Sequence, residues 1–195
     1  MTDFIQDGTG SGNRAKVDTK NRLHTLSTIE TGGTEAALQG DLYNVNSGTI
    51  NLTSDSASAL YYIKNTDSVN WIVNRVFYNA GVSTGGSGDF LAEVVANPTL
   101  GTLIDSGANL DIHNLNFGSS KQLTALSKVG VEGSTVTDGV VRVGTIIPTS
   151  GTRVLIAFDS IVLEPGSSLA ITITPQTGNT AMNIQVGLNL YRLTD

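Results

Sequence analysis

The sequence predicts an all-β protein: a jelly-roll-like two-sheet β-sandwich with an extended N-terminal arm. Three observations lead there. From Asp41 onward, runs rich in Val, Ile, Leu, Tyr and Thr alternate with clusters of Gly, Asn, Asp and Ser. In the last run Met182, Ile184, Val186, Leu188 and Leu190 alternate with Asn183, Gln185, Gly187, Asn189 and Tyr191, a period no helix produces. Charged residues are 14% of the chain, against roughly 25% in an average soluble domain, so Ser, Thr, Asn and Gly must cover the surface. The 195 residues suffice for one substantial core plus an arm.

In chain order, residues 1–30 read as the arm and 31–195 as the sandwich body. The stretch from Asp7 to Thr25 is glycine-rich, polar and basic. Arg14, Lys16, Lys20 and Arg22 are four of the 11 basic residues in a chain of net charge −6. Residues 1–25 sum to +1 and the remainder to −7. Ala15–Asp18 and Arg22–Glu30 form short extended segments. Thr34–Gln39 is the one cluster of helix formers, about a turn long and stopped by Gly40.

Leu42–Val45 and Thr49–Leu52 read as two strands joined by a hairpin turn at Asn46-Ser47-Gly48. Leu60–Lys64 is the next strand. Val69–Asn79 is apolar on both faces for part of its length, which suits a covered central strand. Gly81–Gly88 reads as a loop. Phe90–Ala96, Ala108–Leu115, Gln122–Ser127, Gly139–Ile147, Arg153–Phe158 and Ile161–Leu163 follow as strands. Pro165–Ser168 and Gln176–Thr180 are turns on either side of the alternating Leu169–Thr174.

No chemical constellation stands out. There are no cysteines, which excludes disulfides, thiolate metal sites and cysteine nucleophiles. Asp7-Gly-Thr-Gly-Ser-Gly12 imitates a phosphate loop, but no buried strand precedes it and no helix follows. His24 and His113, even with Asp111 beside the latter, fall short of a zinc ligand set. Asp105, Asn109 and Asp111 have calcium-ligand chemistry, but the full loop with its closing Glu is missing. No nucleophile elbow or oriented histidine accompanies a serine. Acidic residues are spread singly, mostly in turns; a pair for glycoside hydrolysis would have to be assembled from distant parts of the sequence. Trp71, Tyr61, Tyr62 and Tyr78 lie in strands, where sheet packing outweighs sugar stacking. Asn51-Leu52-Thr53 has the form of a glycosylation acceptor but lacks a secretion context. The expectation is a protein with no catalytic residues, metal or cofactor. An acidic body is repelled by phosphates, so nucleic acid is not an expected partner. The N-terminus lacks a signal pattern and no apolar run approaches the ~20 residues that span a bilayer, so synthesis and folding in a cytoplasm, with no membrane partner, are expected.

Three blocks carry a resemblance. They are the arm from Asp7 to His24, the stretch from Glu35 to Thr53 with Tyr62-Ile-Lys-Asn65, and the pair Val162-Leu-Glu-Pro-Gly-Ser-Ser-Leu-Ala-Ile171 and Val186-Gly-Leu-Asn-Leu-Tyr-Arg192. Together they resemble virion proteins of tailed bacteriophages, of the capsid decoration (cement) type, over most of the chain. The resemblance implies a head decoration protein or a related surface appendage, expected on the outer capsid surface, assembled in the host cytoplasm and bound to the major capsid protein. Low charge, no disulfides and the two-faced apolar Val69–Asn79 lead to the expectation of a homotrimer. The resemblance brings no active-site residues. The arm, through Arg14, Lys16, Lys20 and Arg22, is then the expected capsid-binding element. The alternative is a head- or tail-fibre host-recognition module that binds glycan through an exposed aromatic shelf. A weaker third option is a phage-borne glycan hydrolase.

Overall fold

The computed structural model describes residues 4–6, 14–17, 23–24, 32–82, 89–148, 153–176 and 181–193. The chain divides into two compact units, Met1–Thr31 and Gly32–Asp195. In the first, β1 (Phe4–Gln6), β2 (Arg14–Val17) and β3 (Leu23–His24) form a three-stranded antiparallel sheet in that order. β2 and β3 fall where extended segments are expected. Their pairing with each other and with Phe4–Gln6 has no signal in the sequence.

The second unit begins with helix α1 (Gly32–Gln39). It stops at Gly40, which sits at φ +76, a conformation only glycine adopts cheaply. The Asp41 N–H bonds the Ala36 carbonyl at 2.7 Å and the Gly40 N–H bonds Ala37 at 3.2 Å, the two bonds of a Schellman end. The elements that follow are β4 (Leu42–Leu52), β5 (Ser58–Asn65), β6 (Trp71–Val82), β7 (Asp89–Ala96), β8 (Thr99–Leu100), α2 (Thr102–Asp105), β9 (Asp111–Asn114), β10 (Ala125–Val129), β11 (Val136–Thr137), β12 (Val140–Pro148), β13 (Arg153–Leu163), β14 (Ser168–Pro175) and β15 (Met182–Arg192).

Two five-stranded antiparallel sheets result, ordered β10-β5-β14-β7-β12 and β13-β6-β15-β4-β9. Lettered B to I in chain order, the long strands β4, β5, β6, β7, β12, β13, β14 and β15 run C-H-E-F in one sheet and B-I-D-G in the other. That is jelly-roll topology. The connection from β7 to β12 is long. It adds β9 outside β4 and β10 outside β5, and contributes α2 and the β8–β11 pair.

The core lies between the sheets. Met182, Ile184, Val186, Leu188 and Leu190 are all fully buried there, as their alternation predicts. Trp71, Tyr61 and Tyr78 join them, with Tyr78 edge-on to Phe90 at 6.1 Å. A second, smaller cluster (Ala59, Tyr62, Val95, Ile104 and Ala170) sits on the outer face of the C-H-E-F sheet. There α2 contributes Ile104. All four strand aromatics singled out for sugar stacking are therefore packed in cores. Asn65, also fully buried, ties loops together. Its amide donates to the Val69 and Leu163 carbonyls at 2.9 and 2.7 Å, and its oxygen accepts from Asp67 N–H at 2.9 Å.

Two strands differ from expectation for one physical reason. β4 is continuous through Asn46-Ser47-Gly48, with no hairpin. Opposite it, β15 steps from Gln185↔Thr49 to Gly187↔Asn46, so Ser47 and Gly48 together face Val186 as a bulge. Gly48 adopts φ +67, and the Ser47 hydroxyl accepts from the Val186 N–H at 3.0 Å. The bulge changes phase: Tyr43 and Val45 point inward before it, Ile50 and Leu52 after it. β6 slips similarly near Asn74, so Trp71 and Val73 face the core, then Val76, Tyr78 and Ala80. Most of its apparent two-faced apolarity is that change of phase. Phe77 is the exception. It faces outward and lies against Gly187, where a Cβ would strike the ring.

Arg153–Phe158 and Ile161–Leu163 belong to one strand, β13, whose register breaks between Ala157 and Ile161. Ala108–Leu115 shrinks to β9, and the strand expected at Gln122–Ser127 is shifted toward the C-terminus as β10. Of the Gly81–Gly88 loop, the first two residues end β6 and the rest lie outside the described residues, as do 177–180. Among the described residues, no helix is long and apolar enough to cross a membrane.

Candidate functional site

The most unusual chemistry gathers at the end of the sandwich where α1 passes into β4. The Schellman turn places Asp41 there, with its side chain only 1% exposed. A buried carboxylate needs compensation. Lys121 Nζ donates to Asp41 Oδ2 at 2.6 Å, and Arg192 Nη1 lies 3.5 Å from Oδ1. Arg192 Nε approaches Asp67 Oδ2 at 2.7 Å, although its N–H is not directed along that line. The clamp thus joins the start of β4, the β5–β6 loop, the segment before β10 and the end of β15. Tyr43, next along β4, has a buried hydroxyl without a hydrogen-bond partner, and so does the Trp71 indole N–H. Burial, aided by the Asp41 charge, raises the Tyr43 hydroxyl above the usual tyrosine range, while Arg192 pulls the other way.

Beside this clamp is a hollow of about 550 Å³. Tyr43, Ile112 and Leu123 supply its apolar lining, and β9 with the loop after it supplies the polar rim. That loop is stiffened by its own side chains. Asn114 Nδ2 donates to the Gly40 and Lys121 carbonyls, and its oxygen accepts from the Asn116 N–H. Asn116 in turn donates to the Leu38 carbonyl at the open end of α1 and accepts from the Gly118 N–H. The result is a fastened turn with Phe117 at its tip, 97% exposed. A second hollow, about 320 Å³, lies on the seam between β12 and β13, with Val143, Ile161, Leu169 and Arg142 in its wall.

Of the expected anchor residues, Arg14 and Lys16 belong to β2, while Lys20 and Arg22 lie outside the described residues. His24 is in β3, and His113 is exposed on β9 at the rim of the larger hollow. Asp105 ends α2 and Asp111 starts β9. No group of three or more His, Cys, Asp or Glu capable of holding a metal occurs among the described residues. Asn51 spends its amide on Asn183 Oδ1 at 2.9 Å.

The clamp and the hollow leave no local mark in the sequence. Asp41, Asp67, Lys121 and Arg192 are far apart in the chain. Phe117 did carry a signal: it is one aromatic inside Asn116-Phe-Gly-Ser-Ser120, a turn composition that excludes a strand. No protein-family model and no curated protein matches the chain.

Proposed function

We propose that this chain is a capsid decoration protein of a tailed bacteriophage, which binds the major capsid protein shell and stabilises the head. The observation that carries this is the outer edge of β12, which no strand pairs among the described residues. It exposes Val140, Val141 and Ile146, with Val162 of β13 also exposed across the seam. Monomeric β-proteins blunt such edges with charge, proline or cover. β12 carries some of these devices, in Arg142, Pro148 and a bulge between Val141 and Val143, yet leaves three aliphatic side chains exposed beside them. That remaining apolar edge suits a protein that completes itself by assembly, here as a homotrimer. The separate N-terminal unit supports the same reading. Its four cations, Arg14, Lys16, Lys20 and Arg22, balance Asp3, Asp7, Asp18 and Glu30 over the unit, but they cluster between residues 14 and 22 with Asp18 alone among them, as an anchor onto an acidic partner surface would. A single surface pair contributes only about 0–1 kcal/mol. Three copies in one trimer act at a shared effective concentration.

The test is binding to purified empty capsids alongside binding to host cells. Decoration requires saturable capsid binding that falls sharply when residues 1–31 are deleted. It also requires that replacing the four basic residues with Ser weaken binding and flatten its salt dependence. Light scattering should report a mass well above the 20.3 kDa of one chain. Screens for glycan, ester and peptide hydrolysis should find no turnover that responds to replacement of His24, His113 or any Asp. Cell binding without capsid binding would favour the fibre-type host-recognition module instead.

A further inference from the structure

We propose that the hollow beside Phe117 is a binding site for a neutral saccharide, independent of any capsid contact. Its volume, about 550 Å³, falls within the range of small-ligand sites. Its chemistry narrows the ligand class. Among the described residues His113, Ser120 and Gln122 line the hollow with side chains that have no hydrogen-bond partner. Each can both donate and accept, as a sugar hydroxyl does. The cation in the wall, Lys121, is already held by Asp41 at 2.6 Å. No carboxylate lines the hollow. The site therefore offers neither a free positive charge for a phosphate or carboxylate nor a free negative charge for an amine. A net-neutral polyhydroxyl compound matches what remains.

Phe117 adds the second half of the match. A phenyl ring almost wholly in water costs hydrophobic free energy, and here its loop is fastened by Asn114 and Asn116 rather than left to collapse. A rigidly presented ring beside hydroxyl-binding groups can take the C–H face of a pyranose. The sugar edge then meets Gln122, Ser120 and His113. The aromatics that sequence inspection offers for this role, Trp71, Tyr61, Tyr62 and Tyr78, are all buried, so Phe117 is the candidate platform.

Saturation-transfer NMR on the full-length protein tests this with lactose, cellobiose, maltotriose and chitotriose, and with sialyllactose as a charged control. At least one neutral sugar should receive saturation at about 10 mM, a concentration that detects millimolar affinity. It should also shift the amide signals around residues 113–122. Phe117→Ala should weaken that binding by about tenfold or more, corresponding to the loss of one stacking contact. Gln122→Ala should weaken it less, and sialyllactose should bind no better than lactose. Both side chains are exposed, so neither variant threatens the fold. No transfer to any neutral sugar, or undiminished binding by Phe117→Ala, would overturn the proposal. Capsid binding by Phe117→Ala, measured in parallel, should be unchanged, so failure here and failure of the decoration reading are separable.

Discussion

The two sheets have five strands each but treat their outer faces differently. The C-H-E-F sheet is wrapped: the long β7–β12 connection lays α2 over it and buries Tyr62, Ala59, Val95 and Ala170 around Ile104. The B-I-D-G sheet presents amides instead. Asn44 Nδ2 donates to Asn189 Oδ1 at 2.9 Å, Asn46 to Asn44 at 3.3 Å, and Asn51 to Asn183 at 2.9 Å. One face is stabilised by removing apolar surface from water, the other by side chains that pair with one another without charge. That second solution explains how a chain with only 14% charged residues covers a sandwich.

The largest expected effect lies on the wrapped face. Ile104→Ala should cost about 3 kcal/mol in urea unfolding, typical of a fully buried aliphatic truncated to Ala. A loss below about 1 kcal/mol would mean that α2 is a loose cover. Asn65, where both sheets' loops meet, comes next. Asn65→Ala leaves the Val69 and Leu163 carbonyls without this donor and should cost about 2 kcal/mol by the same assay.

A smaller effect concerns the strap that fastens the wrapping connection. Glu132, between β10 and β11, accepts from the Thr53 hydroxyl at 2.8 Å and from the Thr53 and Ser54 N–H groups. These bonds, the Thr53 hydroxyl foremost, lower its pKa below the usual glutamate value. The folded state therefore holds the carboxylate more strongly than the unfolded chain. The resulting stability is complete above the ordinary carboxylate range and is lost as pH falls through the lowered pKa. Glu132→Gln should flatten that acid limb of the stability–pH curve, and an identical limb in the variant would place the titration elsewhere. The smallest effect is expected on the amide face. Asn44→Ala should change stability by no more than about 0.5 kcal/mol, as at an ordinary surface position. A cost above about 1.5 kcal/mol would show the amide row to be cooperative.

The same contrast explains what could be read in advance. β15 was legible because one face is buried and the other polar along its whole length, so period 2 survives intact. β4 and β6 were harder, because each changes phase at a bulge. In β4 the inward set passes from Tyr43 and Val45 to Ile50 and Leu52, odd to even, which an uninterrupted strand cannot do. Asn46-Ser-Gly48 did carry turn chemistry: the Gly48 N–H bonds Asn46 Oδ1 at 3.1 Å, and the local bend serves a bulge rather than a reversal. Helix α2 and the β8–β11 pair were invisible, being too short to show a period. The clamp around Asp41 was invisible for a different reason. Its charges meet only because four separate loops and strand ends converge, and no spacing in the chain encodes that.

The clamp also has a mechanical consequence. A pull on residues before Gly32 enters the body through α1 and reaches Asp41. There the load divides, part passing through Arg192 to β15, which is flanked by strands on both sides, and part through Lys121 to the segment before β10. Drawn along its own axis, β4 would load its ladder with β15 lengthwise, so that many bonds share the force instead of opening one at a time. Asp41 then works as a rivet at the head of that seam. Asp41→Asn should lower the force at which the body yields to a tether at its N-terminal end, more than it lowers the yield force for a tether at the β12 edge.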